Sequence, residues 1–397
     1  MNRMPKLRFK EFSGEWEEKK LKNIVEINPR TEELPNEFIY IDLESVENGI
    51  LKEKKIIQKE NTPSRAKRNV KLNDILYQTV RPYQQNNLFF YFDDEFEYIA
   101  STGYAQLRSI KNNPKYIYQL LHTKKFLDKV LENCTGTSYP AINSNDLGNI
   151  NILYTLNIKE QQKIADFLSN IDKKISITEE KLDLFKDYKK GIMQKIFNQE
   201  LRFKDSNGND YPEWEEKRLG NICYYFNGGS LESYVVNNGK YNLITLNSIS
   251  IEGNLKKEHK TVNINKNLLN KYDLVMVLSD VAHGNFLGLT AIIPEDNMFV
   301  LNQRMGGLKI KYDENVYYLR YYINSNQFYF KLHGQGSSQL NLSKKDIEDF
   351  IVKLPCLEEQ QKIADFLSSI DNKIDNLAAE LENLKEFKKG LLQQMFV

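Results

Sequence analysis

Cysteine is scarce in this chain. Its three thiols, Cys134, Cys223 and Cys356, lie far apart among 397 residues. That excludes a disulfide framework or a multi-cysteine zinc site and suits a reducing, cytoplasmic setting. The four histidines, His122, His259, His283 and His333, show no metal-ligand spacing. The ten prolines are never adjacent, so the Pro-Pro core of an amino-methyltransferase motif is missing. No P-loop cradles nucleotide phosphates, and "HGQGSS" at 333–338 is a lone Gly-x-Gly. No Pro-Asp dipeptide opens a nuclease core. No apolar run approaches the ~18 residues of a membrane helix, and "MNRMPKLRFKEF" lacks the apolar segment of a signal peptide. The net charge is +1, so nucleic-acid binding would need local clusters of charge rather than bulk basicity. These absences argue against a membrane protein and against an autonomous enzyme of these classes.

What is present is a repeat. The sixteen residues from Glu160, "EQQKIADFLSNIDKKI", recur from Glu359 as "EQQKIADFLSSIDNKI", with only Asn170/Ser369 and Lys173/Asn372 differing. "LRFKEFSGEWEEKKLKNI" (7–24) returns as "LRFKDSNGNDYPEWEEKRLGNI" (201–222), and "KKGIMQKIF" (189–197) as "KKGLLQQMF" (388–396). "GTSYPAINSNDL" (136–147) is echoed by "GSSQLNLSKKDI" (336–347). The period is far too long for a solenoid. It describes a duplicated domain-plus-helix: a first domain over 1–158, a helix over 159–199, a second domain over 200–357 and a second helix over 358–397. Shared borders around divergent interiors suggest one scaffold carrying two different readers.

Both helices carry a heptad seam. Alternating steps of four and three give Ile164, Leu168, Ile171, Ile175, Thr178, Leu182, Phe185, Lys189, Ile192 and Ile196. The second series is Ile363, Leu367, Ile370, Ile374, Leu377, Leu381, Leu384, Lys388, Leu391 and Met395. Such a pattern is a coiled-coil seam. At 1.5 Å per residue, about 38 residues would span roughly 57 Å. An antiparallel pairing within the chain is easiest to connect and would hold two globular units apart; pairing in trans within a dimer is the alternative. Lys189 and Lys388 interrupt the seams just before Gly191 and Gly390. A frayed or bent helix end is the simpler expectation, a register-setting polar pair the sharper one. Phe167, Phe366, Phe197 and Phe396 lie off the seam, as core against the domains or as a docking surface.

The globular regions alternate β-like runs such as "FIYIDLES", "DILYQTV" and "YDLVMVL" with turns, and helical stretches follow near 114–130 and 314–332. The expected class is α+β: two mixed α/β domains, each with a curved sheet, and two long antiparallel coiled-coil helices in a pseudo-twofold repeat.

A central helix opening "EQQKIADFLSxID", repeated near the end of the chain, with "PEWEEKRLG" leading into a variable region, resembles the specificity subunit of type I restriction-modification systems. The likeness spans essentially the whole chain. "NDILYQTVRPYQQN" and "ASTGYAQLR" are similar to elements of target recognition domains in that family. One departure is visible: "LPCLEEQQ" carries a proline where "LYTLNIKEQQ" has Leu156. The resemblance implies a non-catalytic subunit whose two domains each read half of a split, asymmetric site on double-stranded DNA. It implies helices that set the spacer and dock two modification subunits, with two restriction subunits able to join. S-adenosylmethionine, ATP and magnesium would sit on those partners, and none on this chain. A coiled-coil scaffold without a DNA role and a fragment of a fused methylase–specificity enzyme are the rival readings.

Within that frame, Lys and Arg suit phosphates, and Arg, Gln and Asn can read base edges. The first domain offers Arg65, Lys67 and Arg68, then Arg81, Tyr83, Gln84, Gln85 and Asn86, with Thr102, Tyr104, Ser138 and Tyr139 in loop-like stretches. The second offers Ser279, His283, Asn285, Gln303, Arg304, Ser337, Ser338 and Gln339. Arg81 and Arg304 are the foremost candidates. Partner contacts are expected at Gln161, Phe167 and Asp172, and at Gln360, Phe366 and Asp371.

Overall fold

The computed structural model describes residues 3–30, 33–281 and 284–397. It divides into two compact units, Met1–Lys181 with Leu377–Val397, and Leu182–Asn376. Each unit therefore owns one globular domain and one part of each long helix. The helices run Ile158–Phe197 (the central helix) and Leu357–Met395 (the C-terminal helix). No described helix is long and apolar enough to cross a membrane.

In the first unit an antiparallel ribbon closes the domain borders: Glu17–Lys20 pairs with Asn151–Tyr154. Two four-stranded sheets replace the single curved sheet expected. One runs Val25–Ile27, Tyr104–Ser109, Ile75–Gln78, Leu88–Phe89 and is antiparallel throughout. The other runs Lys55–Gln58, Glu37–Ile41, Tyr98–Ser101, Ala66–Val70 around one parallel pair. Thr102 and Gly103 carry the chain from one sheet to the other.

The second unit repeats this plan. Glu215–Arg218 pairs with Ile351–Leu354, and Cys223–Asn227, Met305–Ile310, Leu274–Val277 and Thr290–Ile292 form the antiparallel sheet. Its other sheet runs Val235–Val236, Lys260–Val262, Tyr241–Ile244, Phe299–Leu301. The parallel pair survives, but a different segment fills the fourth place: Val235–Val236, which precedes the pair in the chain, joins the opposite edge. Among the described residues no strand flanks Phe299–Leu301 where the first unit has Ala66–Val70.

The two expected domain helices are each broken in two. Pro114–Leu121 gives way to Lys124–Glu132 because the Thr123 hydroxyl caps the second segment, accepting from Phe126 N–H. Val316–Ser325 and Gln327–His333 break at Asn326, whose side chain turns back to donate to Tyr322 O (2.7 Å) rather than cap the second segment.

All twenty seam positions are buried or half-buried, as the heptad pattern requires. In the first unit Ile164 and Leu168 share a core with Leu391 and Met395; in the second, Ile196 shares one with Ile363, Leu367 and Ile370. The pairing is antiparallel and within the chain. In the first unit Lys174 meets Glu380 (3.1 Å), Glu179 meets Lys385 (2.6 Å) and Asp172 meets Lys388 (2.5 Å). Fraying at Lys189 and Lys388 is therefore the wrong expectation: Lys189 pairs with Asp371 at 2.5 Å, as Lys388 does with Asp172. Phe197 packs on Tyr322 (5.3 Å), and Phe396 on Tyr116 (5.4 Å), so both are domain core.

Candidate nucleic-acid interface

Three loops of the first unit meet. They are the segment after strand Ile75–Gln78, the turn at 101–103, and the segment 135–141. Thr79 N–H donates to Gly103 O (3.0 Å), Ile142 N–H donates to Thr79 O (3.0 Å), and Thr135 bridges to Ala141. At the junction Arg81 adopts φ +54°, its N–H donates to Pro140 O (2.7 Å), and its guanidinium lies 4.3 Å from the Tyr139 ring centroid. Thr102 N–H donates to Arg65 O (2.8 Å), which joins the basic strand to the same place. The sequence candidates Arg65, Arg81, Thr102, Ser138 and Tyr139 are thus brought together, and Tyr139 (63 %) and Tyr83 (52 %) are exposed.

Other candidates have structural work. Gln84 Oε1 accepts from Gln78 Nε2 (2.8 Å), Asn86 Oδ1 from Asn48 N–H (3.2 Å), and Gln85 is in the left-handed region. Tyr104 is a correction. Its ring is buried in the core and its hydroxyl donates to Asp42 O (3.3 Å), because strand alternation turns it inward. Lys67 and Arg68 stand on the strand Ala66–Val70. Arg68 is half-buried with its Nε lacking a hydrogen-bond partner among the described residues, and burial lowers its pKa. A partly desolvated guanidinium of this kind is suited to an anion.

The second unit builds the same junction with other side chains. Leu278 N–H donates to Arg304 O (3.0 Å), Leu342 N–H to Leu278 O (2.9 Å), and Gln335 bridges to Asn341. Gly136 (φ +89°) and Gly336 (φ +122°) turn the third loop in the two units; a Cβ on Gly336 would sit 2.2 Å from Gln339 O. Gln303, Arg304, Ser337 and Ser338 are exposed. Ser279 is buried and accepts from Gln339 Nε2, so these two serve the strand pair Ser279–Val281/Gln339–Asn341 rather than a free surface. Asn285 Oδ1 accepts from Lys331 Nζ (3.0 Å). His283 lies outside the described residues. Among the described residues no group of three His, Cys, Asp or Glu side chains could hold a metal ion.

The start of each long helix is tied to its domain. Glu160 is fully buried and takes a two-pronged contact from Arg8 (Nε 2.7 Å, Nη2 2.9 Å). Glu359 is matched by Arg202 (3.2 and 2.8 Å). Thr155 Oγ1 adds a donor to Glu160 (2.7 Å), and Trp214 Nε1 adds one to Glu359 (3.0 Å). Gln161 and Gln360 are buried too. Each accepts from the N–H of the residue that caps the first domain helix, Asn113 (2.8 Å) or Asn315 (2.9 Å). Each donates back to a linker carbonyl, Thr155 O (2.7 Å) or Pro355 O (3.0 Å). Thr155, not Leu156, therefore stands where Pro355 does; the first linker is one residue longer, and Asn157 caps the helix by accepting from Lys159 and Glu160 N–H.

The model for the type I restriction modification DNA specificity domain matches residues 13–185 and again 211–386. Together these spans cover well over half of the chain. The chain belongs to this family. It carries one DNA recognition domain in each repeat. Among curated relatives, two specificity subunits of Methanocaldococcus jannaschii are similar. The MjaVIII specificity subunit is 26 % identical over 69 % of this chain and 68 % of its own length. The putative MjaX specificity subunit is 24 % identical over 96 % of this chain and 93 % of its own length. Among solved structures, the S subunit of a type I restriction-modification system from M. genitalium superposes with a TM-score of 0.64 over 99 % of both chains at 16 % identity. A chain from a structural study of type I restriction-modification assembly gives 0.59 at 19 % identity, over 96 % of this chain and 97 % of that one.

Membership of the specificity family sharpens the partner question. Gln161 and Gln360 were expected to face a partner, yet both are sealed inside. Asp172 is held by Lys388 and by Gln119 Nε2 (2.6 Å), and Asp371 by Lys189 and the Tyr321 hydroxyl (2.6 Å). Much of the repeated motif thus fastens helix to domain. Its outward residues are Gln162, Lys163, Asp166 and Phe167, and Gln361, Lys362, Asp365 and Phe366. Phe167 is 36 % exposed and meets Phe9 edge-on (5.8 Å); Phe366 meets Phe203 (5.5 Å). Arg8, Glu160, Arg202, Glu359 and the capping Asn113 and Asn315 were not singled out from sequence. The signal for the ion pairs was that "LRF" and "EQQ" repeat together; contacts across 45 to 157 residues leave no local pattern.

Proposed function

We propose that this chain is the non-catalytic DNA-reading subunit of a type I restriction-modification complex. Each recognition domain reads one half of a bipartite, asymmetric site on double-stranded DNA through its three-loop junction. The observation that supports this most is the same hydrogen-bonded junction built twice with different side chains: exposed Arg65, Thr102, Ser138 and Tyr139 with half-buried Arg81 in one unit, exposed Gln303, Arg304, Ser337 and Ser338 in the other. Arg and Lys of the strand Ala66–Val70 fit phosphates, and Arg81 and Arg304 fit guanine edges. The outward faces around Phe167 and Phe366 dock two modification subunits, since two near-identical surfaces suit two identical partners. The helices set the spacer between half-sites. S-adenosylmethionine, ATP and magnesium belong to the modification and restriction partners in the cytoplasm. The test is methylome sequencing of cells that express the chain with its modification partner. A split motif that disappears when the chain is omitted is expected; methylation indifferent to the chain would overturn the reading.

A further inference from the structure

The second unit has a cavity beside its junction. Its volume is about 320 Å³, and Glu232, Thr245, Asn247, Lys260, Gln303 and Arg304 supply its polar lining. In the first unit the strand Ala66–Val70 occupies the neighbouring sheet edge, and Arg65 O accepts from Thr102 N–H. In the second unit no strand among the described residues pairs along that edge. Instead, the turn at Gly228 and Gly229 runs against it, with Gly229 bridged to Asn302. The approach is so close that a Cβ on Gly228 would fall 2.0 Å from Asn302 O. The wall is therefore built around glycine.

Asn302 is 8 % exposed and fixes the cavity's carboxylate. Its Oδ1 accepts from Leu231 N–H (3.3 Å) and its Nδ2 donates to Glu232 Oε2 (3.0 Å), while Lys260 pairs with Glu232 Oε1. Each carboxylate oxygen can accept twice, so Glu232 keeps acceptor capacity toward the cavity. Arg304, on the rim, is exposed.

We propose that this cavity reads a G·C base pair of the half-site bound by the second unit, with Glu232 accepting from the cytosine amino group and Arg304 facing the guanine edge. The proposal rests on the DNA-reading function above and names the chemistry of one reader. In the major groove only cytosine presents a donor without an adjacent acceptor. Adenine places N7 beside its amino group, and guanine and thymine present acceptors that a carboxylate repels. An arginine matches guanine O6 and N7 with two donors.

The test starts from the motif given by methylome sequencing. Complexes carrying Glu232→Gln or Arg304→Lys are titrated with duplexes in which each base pair of both half-sites is varied in turn. We expect Glu232→Gln to lose discrimination at one G·C pair of one half-site by about tenfold. Arg304→Lys should act at that pair or the one beside it, and the other half-site should be read as before. Full discrimination by both variants, or a half-site without a G·C pair, overturns the cavity reading. So does uniform weakening on all duplexes by a complex whose melting temperature is unchanged. Arg304 is exposed, so its variant keeps the test open if Glu232→Gln fails to fold. Methylation that never depended on the chain would instead overturn the DNA-reading function itself.

Discussion

His122 shows how one side chain ties the loop that carries Arg81 to the helix behind it. Its Nδ1 donates to Tyr118 O (2.7 Å), which leaves Nε2 to accept from Asn87 Nδ2 (3.2 Å). Asn87 ends the loop that carries Arg81, and its Oδ1 accepts from Gln78 N–H (2.8 Å), which fixes the amide's orientation. Protonation would set two donors face to face. Burial, with Lys388 nearby, pushes the His122 pKa down from 6.5 to about 4, although Asp172 opposes this. The unfolded chain therefore binds the extra proton first, and stability falls as pH drops from 6.5 toward 4. We expect His122→Gln, whose amide oxygen can still accept from Asn87, to flatten that part of the profile. Denaturant unfolding of both proteins across this window is the measurement; parallel profiles would show that His122 does not contribute.

At the scale of elements, the two long helices are specified by more than their apolar seam. A seam of Ile and Leu alone tolerates slippage, whereas a buried polar pair sets register. Lys388 (18 % exposed) against Asp172 (34 %), itself held by Gln119, is a half-buried pair at such a position. Lys388→Met completes the apolar seam yet leaves Asp172 without its cation. We expect it to lower stability by about 1 kcal/mol, and Asp172→Asn in the same chain to recover part of that loss. A double-mutant cycle by thermal or denaturant melting measures the coupling, and a coupling of zero would return Lys388 to a solvated helix end. The heptad was legible in the sequence because apolar residues fill all seam positions but Thr178, Lys189 and Lys388 at one local spacing. The charge clasp was not, because Lys388 and Asp172 are joined only once the helices run antiparallel. Tyr104 was misread for a related reason: "STGY" reads as a loop, but the turn ends at Gly103 and the strand begins with Tyr104 turned into the core.

The whole chain is two recognition domains on one repeated frame, and the frame and the readers were legible to different degrees. The duplication and the helices could be read from identity and period. The different edge strands of the two units could not, because neither "SRAKRNVK" nor "ESYVVNN" carries a pattern that reveals which edge it will join. The partition of the cores bears on modularity. In the first unit two clusters, around Ile39, Leu76 and Tyr98 and around Phe38 and Ile99, contain interior residues only. The cluster around Trp16, Tyr116, Ile164 and Leu392 joins borders, domain helix and long helices. An exchange of roughly residues 25–155 for the matching region of a relative should therefore fold if the donor supplies an Asn at position 112, whose side chain meets Gln161, an Asn at position 113, whose side chain meets Gln162, and an aromatic residue at position 116, to meet Phe396. The second unit's loops and cavity lie wholly within Leu182–Asn376 and are untouched by the exchange. The methylated motif of cells carrying the chimera should change in one half-site and keep the other base for base. If both half-sites changed together, the domains would be reading as one surface, and the assignment of one reader to each repeat would fail.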